Sequence, residues 1–269
     1  TLIKNTLCGV TFAICVQYIY RRRTAAIPVV SMMFAMSMYM LAYSWNIMWL
    51  DAVMMLPLVV MGFEHLMRTG KYLPYVLSLA YALYANYYIA YMVCLFMVLY
   101  FIVYLLRQKR TAVYAQASFV RFFIGSLLGG GLAMFLVLPV FLSLGQTSAA
   151  GGELPKLAAN FDMFNLLGRH LYQVTPTIRS GNLPNIYCGI LTVFLVPVFG
   201  MCKAIPARRR VAYIGLVFVL GFSMVINQID MIWHGLHAPN DLPYRFSFIY
   251  SFVLLLIAYE VLMNLDKVE

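Results

Sequence analysis

The sequence contains few charged residues and very few acids. Only 10% of its 269 residues are charged, nine are Asp or Glu, and 64% are hydrophobic. Soluble domains use about 25% charged and roughly 45–50% apolar residues. This composition therefore excludes an ordinary water-soluble fold and indicates a chain that lies in a bilayer.

Motifs of soluble enzymes and of metal sites are also absent. The sequence has no GxSxG, HExxH, P-loop or GxGxxG motif, which argues against the hydrolases, zinc proteases and nucleotide-binding enzymes that carry them. Its five cysteines form no CxxC pair, so a disulfide framework or a zinc site is not expected. We predict no metal centre, with a divalent cation at a surface carboxylate as the alternative.

Long apolar runs are what the sequence has instead. A membrane-spanning helix needs roughly 20 mostly apolar residues, and about nine segments approach that length. They lie near 3–20, 26–44, 51–67, 73–89, 90–106, 119–144, 187–203, 211–228 and 245–264. The sequence therefore predicts an all-α fold, a polytopic transmembrane helical bundle of about nine spans that forms a single domain over residues 1–269.

Basic residues recur in clusters at alternate ends of these segments. Cytoplasmic loops retain Lys and Arg, so we predict that the clusters lie inside, with Thr1 outside and Glu269 inside. The net charge of +10 is then explained by contact with anionic membrane lipids, and nucleic acid is not an expected partner. The clusters are Arg21–Arg23, Arg68 with Lys71, Arg107 with Lys109 and Arg110, Lys203 with Arg208–Arg210, and Lys267.

The start of the chain and one long loop carry further expectations. A chain with Thr1 outside and no signal peptide would need at least one earlier helix to cross the membrane, so we expect an internal fragment of a longer protein. Residues 145–186 form a long extracytoplasmic loop. Within it, apolar residues at helical spacing from Leu157 to Leu171 predict a short amphipathic helix on the outer surface, with Asn160 as its cap.

A first polar group at the predicted outer face contains Asn46, Trp49 and Asp51. We place Asp51 at the start of an apolar helix, where a carboxylate can cap the helix and complement its dipole. The competing interpretation is a general base or a cation ligand at the membrane surface. Trp49 suits an interfacial aromatic belt in either case.

A second group pairs Asn with Tyr at outer helix ends. Such pairs can recognise sugar hydroxyls, because the amide offers a donor and an acceptor while the ring offers a stacking face. Capped turns within an aromatic belt would give the same pattern, and both interpretations stay open. The residues are Asn86, Tyr87 and Tyr88, and then Asn182, Asn185 and Tyr187.

The richest group precedes the last predicted span. His234 and His237 are three residues apart, but the pattern lacks further ligands for zinc. Arg245 lies on the side where arginine is disfavoured, and a fixed guanidinium there can bind phosphate bidentately. A salt bridge to Asp241 is the alternative. The group contains Asp230, His234, His237, Asn240, Asp241 and Arg245.

Four stretches, in the same order across nearly the whole chain, resemble the YfhO family of bacterial membrane proteins, which look like glycosyltransferases of the GT-C superfamily. They are Tyr43–Asp51 with Leu56–Leu58, Asn86–Met92, Asn182–Gly189 and Pro239–Phe248.

The resemblance implies an enzyme of the bacterial cytoplasmic membrane that transfers a sugar from a polyprenyl-phosphate donor to a cell-wall polymer such as lipoteichoic acid. It also implies that the principal acidic motif belongs to a first outer loop that precedes this chain. Asp51, as an acid, and Arg245, as a phosphate ligand, are then the candidates that remain. A transporter or flippase of a lipid-linked or anionic solute and a non-catalytic envelope scaffold are the alternatives.

Overall fold

A computed structural model describes residues 1–144, 157–171, 173–177, 183–236 and 241–267 of the chain. Throughout these ranges the ordered elements are helices, apart from one isolated bridge between Ala159 and Ile226. The helices are α1 (Leu2–Tyr20), α2 (Ala26–Ala35), α3 (Met38–Tyr43), α4 (Ile47–Thr69), α5 (Leu73–Ala85), α6 (Tyr87–Leu106), α7 (Ala112–Leu144), α8 (Met163–Gly168), α9 (Ile190–Met201), α10 (Ala207–Val225), α11 (Asn227–Trp233) and α12 (Ser247–Leu262).

The prediction of an all-α membrane protein is confirmed. Within the described residues, five helical segments are long and apolar enough to span a bilayer: Leu2–Tyr20, Ala26–Tyr43, Ile47–Thr69, Tyr87–Leu106 and Ala112–Val140. The other predicted spans coincide with helices that are short, namely α5, α9 and α12, or that begin with charged residues, namely α10. The count of nine spans therefore stays a prediction.

Helix α12 forms the centre of the bundle. Every residue from Ser247 to Val261 is buried, which is typical of a helix that is apolar on all sides and enclosed by others. Helices α9 and α2 pack against it, and α1 links α2 to α4. By contrast, α7 lies at the periphery with most of its apolar surface exposed.

Three of these helices run between the same two ends of the bundle. We call the Arg245 end the one where α4, α6 and α12 begin, near Trp49, Tyr88 and Arg245. The Glu64 end is the one where the same helices finish, near Glu64, Arg107 and Glu260. A residue at one end is separated from the other end by most of a span.

Buried ion pairs close the Glu64 end. Glu64 is fully buried, and Arg107 binds it with two nitrogen atoms, Nη1 at 2.7 Å and Nη2 at 2.9 Å. The Tyr100 hydroxyl donates to the same carboxylate at 2.9 Å, and Arg68 adds a contact at 3.3 Å. Among these partners, only Arg68 lies one helical turn from Glu64 on the same helix.

A second ion pair lies beside the first. The Glu260 carboxylate is 2.8 Å from Arg209 and accepts a hydrogen bond from the Tyr20 hydroxyl at 3.3 Å. These contacts join the ends of α1, α10 and α12. Buried carboxylates at this end are therefore matched by cations and hydroxyl donors.

Two expectations about helix starts were wrong. Helix α4 begins at Ile47, with Asn46 at the N-cap position, so Asp51 lies inside the helix and does not cap it. The expected short helix between Leu157 and Leu171 is present only as Met163–Gly168, so it starts later than a cap at Asn160 predicted.

The cap of that short helix also differs from the expected one. Asp162 caps it by accepting a hydrogen bond from the Phe164 amide at 2.7 Å. Asn160, which was expected as the cap, instead donates its side-chain amide to the Met224 carbonyl and its backbone amide to the Val225 carbonyl. Contact with the end of α10 was not visible in the local sequence pattern.

Candidate functional site at the Arg245 end

Arg245 is held by the turn that leads into α12. Its Nε donates to the Leu242 carbonyl at 2.9 Å, and its Nη2 donates to the Asp241 carbonyl at 3.1 Å. Asp241, Leu242 and Tyr244 all have φ between 50° and 57°, a left-handed conformation that is uncommon for residues other than glycine. Such backbone outliers cluster at functional sites, where surrounding contacts hold them in place.

Two aromatic rings flank the Arg245 guanidinium. Its central carbon is 5.0 Å from the centroid of Tyr88 and 5.4 Å from that of Trp49. Cation–π attraction of this kind stabilises a cation within about 6 Å of a ring. Residues from α4, α6 and the turn before α12 therefore fix the orientation of one positive charge.

Asp230, on α11, is a buried carboxylate in the same region. Its residue is 4% exposed, and within the described part of the chain its Oδ1 atom has no hydrogen-bond partner. Burial raises the pKa of the Asp230 carboxyl to about 8, although the nearby charge of Arg245 opposes that rise. A carboxyl that titrates near neutral pH can both accept and donate a proton.

His234 lies one helical turn after Asp230. Its ring is fully buried, and Nδ1 is 2.8 Å from the Asp230 backbone carbonyl and 3.5 Å from Oδ1 of the same residue. A carbonyl oxygen can only accept, so Nδ1 must carry a hydrogen. The ring centroids of Tyr88 and Phe246 are 6.4 Å and 6.1 Å away.

Asp51 is placed apart from this cluster. Its Oδ2 atom is 2.7 Å from Lys4 Nζ, which also donates to the Ile47 carbonyl. Both side chains of the pair remain about a quarter exposed. The structure therefore brings Asp51 to the same end of the bundle but gives it a lysine partner on α1.

The Asn and Tyr residues have different positions. Asn86 joins α5 to α6 and caps α6, since its side-chain oxygen accepts from the Ile89 amide at 2.9 Å. Tyr87 is 37% exposed. Tyr187 lies where its backbone carbonyl accepts a hydrogen bond from Met38 at the start of α3.

Asn185 is buried within the loop before α9. Its side-chain oxygen accepts from Arg169 at 3.1 Å and from the Thr177 amide at 3.1 Å, and its amide donates back to Thr177. Arg169 also binds the carbonyls of Pro184 and Thr175. Arg169 was not among the predicted site residues. The feature of the sequence that could have pointed to it is its position in the predicted outer loop, where arginine is disfavoured.

Three predicted site residues, Asn182, His237 and Asn240, lie outside the described residues. Across the described ranges, no group of three or more His, Cys, Asp or Glu side chains could hold a metal ion. The site that can be described is therefore a guanidinium, a buried carboxylate, an imidazole and their aromatic surroundings.

Comparison with known proteins identifies a family of membrane proteins. A family model described as bacterial membrane protein YfhO matches residues 1–269, the whole chain. Neither the curated proteins nor the solved structures contain a significant match.

Proposed function

The chain belongs to the YfhO family of bacterial membrane proteins, and on that basis we propose that it is the core of a GT-C-type glycosyltransferase. In this proposal the Arg245 end binds a polyprenyl-phosphate sugar at the outer membrane face, and the sugar passes to a cell-envelope polymer such as lipoteichoic acid. Membrane lipids, the donor and the polymer are the partners.

The observation that supports this proposal most is the fixation of Arg245. Carbonyl oxygens and aromatic rings orient its guanidinium. A preorganised guanidinium suits a phosphate because its planar fork can form two parallel hydrogen bonds.

Asp230 is our candidate for the group that handles the acceptor proton. Its buried Oδ1 atom can accept a hydrogen bond from a hydroxyl group of the acceptor. The carboxyl pKa of about 8 also lies close to the pH at which a general acid or base operates. Asp51 remains a candidate accessory acid, with Lys4 as its ion-pair partner at 2.7 Å. A divalent cation at either carboxylate stays a possible cofactor.

The remaining Asn and Tyr residues are proposed to contact the sugar. Tyr87 and Tyr88 present rings where α6 begins, and aromatic rings stack well on the apolar faces of sugars. Asn46, Asn86 and Tyr187 lie at neighbouring helix ends. His234 and Asp241 would then hold Asp230 and Arg245 in position.

The test compares Arg245→Lys with Arg245→Ala in the full-length protein. We expect both variants to lose binding of polyprenyl-phosphate sugar and its transfer to polymer, because lysine keeps the charge but not the fork. Arg22→Lys, at an exposed position near the Glu64 end, is the matched control. Normal transfer by Arg245→Ala at normal expression would refute the phosphate role.

The same assay separates transfer from transport. A transporter or flippase would move the lipid-linked sugar across vesicles without forming a new glycosidic bond. Transporters tend to carry paired charges near the middle of the membrane. In the described spans, Glu64 and Arg107 instead lie near the ends of α4 and α6, which favours the transferase interpretation.

A further inference from the structure

An open groove lies between α6 and α10, in the halves of these helices near the Glu64 end. It has a volume of about 660 Å³, within the range of about 300–1,000 Å³ typical of small-molecule sites. Its walls are apolar side chains, among them Ile102 and Leu106 on α6 and Val211 and Val219 on α10. All four are at least 47% exposed, so the groove faces the surroundings of the bundle.

A glycine forms part of the α10 wall. Val211, Gly215 and Val219 are spaced four residues apart, which places them on one helical face. A Cβ atom added at Gly215 would meet no atom within 4 Å. The groove is therefore open at this point, and a larger side chain can occupy it without a clash inside the protein.

Arg208 lies at the mouth of the groove. Its two neighbours in the basic cluster are held by the protein: Arg209 pairs with Glu260, and Arg210 donates to the Gly200 carbonyl at 2.5 Å. Arg208 is exposed and lines the groove. Arg208 therefore places an exposed positive charge at one end of an apolar groove.

We propose that this groove binds one anionic phospholipid, with an acyl chain between α6 and α10 and the phosphate at Arg208. An acyl chain matches the apolar walls, and the anionic headgroup complements the charge at the mouth. Anionic lipids are attracted by basic residues at the membrane surface. This site goes beyond the proposed function, because it lies at the opposite end of α6 from Tyr88 and Arg245.

The first test measures lipid retention by native mass spectrometry. Full-length protein is released from vesicles of equal parts phosphatidylglycerol and phosphatidylcholine. We expect preferential retention of one phosphatidylglycerol, and about a fivefold weaker preference in Arg208→Gln, the effect of one basic residue at a membrane surface. Lys71→Gln, another exposed basic residue, should keep the preference.

The second test fills the groove. Gly215→Leu should reduce phosphatidylglycerol retention, whereas Gly131→Leu on α7 should not, although an added Cβ there also meets open space. Unchanged retention in Gly215→Leu or Arg208→Gln would overturn the proposal. Preferential retention of polyprenyl phosphate in the groove, or occupation by a second copy of the chain, would also overturn it.

A third test uses the unmodified chain, so its result does not depend on whether the variants fold. Phosphatidylglycerol with a photoactivatable group on its acyl chain is added to the full-length protein. We expect crosslinks to concentrate on Ile102, Leu106, Val211 and Val219. Crosslinks spread evenly over the exposed face of α7 would contradict a specific site.

Discussion

The two ends of the bundle differ in how they provide hydrogen-bond partners to a buried carboxylate. At the Glu64 end, the carboxylate of Glu64 receives hydrogen bonds from Arg107, Tyr100 and Arg68. At the Arg245 end, Asp230 is almost as deeply buried, yet one of its oxygen atoms has no hydrogen-bond partner among the described residues. The same helices, α4, α6 and α12, contribute residues to both ends.

We propose that this difference reflects different roles for the two ends of the bundle. A buried charge with complete partners resists change, because removing one partner leaves the other uncompensated. A buried carboxylate without complete partners costs stability and is a frequent feature of functional sites. In this proposal the Glu64 end holds the helices together, whereas the Arg245 end binds a ligand.

The largest effect is expected at the Glu64 end. Glu64→Gln removes the charge that compensates Arg107, and breaking a buried ion pair in this way costs about 3–5 kcal/mol. The measurement is the free energy of unfolding of the full-length protein in detergent. A loss below about 1 kcal/mol would show that the pair contributes no more than an exposed one.

The next effect concerns the activity of the Arg245 end. Asp230→Asn keeps the shape of the side chain but removes its ability to exchange a proton, so sugar transfer should fall about 10²–10⁴-fold. Asp162→Asn is the matched control, because Asn caps a helix as well as Asp does and Asp162 is exposed. Equal rates in Asp230→Asn and the parent protein would exclude Asp230 as the acid or base.

The pH dependence of stability should differ between the parent and Asp230→Asn. The folded state raises the pKa of Asp230 from 3.8 to about 8, so it binds this proton more tightly than the unfolded chain does. The contribution of Asp230 to stability therefore falls as pH rises from about 4 to 8 and is constant outside that window. Unfolding curves across this range should show a steeper decline for the parent than for Asp230→Asn, and parallel curves would contradict the raised pKa.

The smallest effect is expected at Asp51. Its pair with Lys4 is partly exposed, and such pairs contribute about 0–1 kcal/mol. Asp51→Asn should therefore change the unfolding midpoint little, and Lys4→Gln should match it. A large fall in the unfolding midpoint of only one of the two variants would contradict this expectation. It would show that the residue left behind, Lys4 or Asp51, depends on its partner to compensate its charge.

The sequence analysis predicted what depends on local pattern. Apolar runs predicted the helical membrane bundle, and the boundary predicted between the spans 73–89 and 90–106 lies a few residues after the joint between α5 and α6. It failed for Asp51, because an acid beside an apolar run resembles an N-cap although the helix starts at Ile47. The local pattern contained no sign of Lys4, which lies on another helix.

Long-range pairs explain the other gaps. Glu64 and Arg107 are 43 residues apart, so helical spacing could reveal only the weaker Arg68 contact. Asn185 carried the Asn and Tyr pattern of a sugar contact, but its amide is engaged by Arg169 and Thr177. These partners depend on how the helices and loops pack, which periodicity in one segment does not describe.

The most direct test of the difference between the Glu64 end and the Arg245 end compares two variants of the full-length protein. The free energies of unfolding of Glu64→Gln and Asp230→Asn are measured side by side at pH 8. Both changes replace a buried carboxylate with an amide of the same shape. We expect a loss of about 3–5 kcal/mol for Glu64→Gln and no loss, or a gain, for Asp230→Asn, because the amide removes a buried charge. Equal destabilisation by the two changes would contradict the claim that one end is built for stability and the other for a ligand.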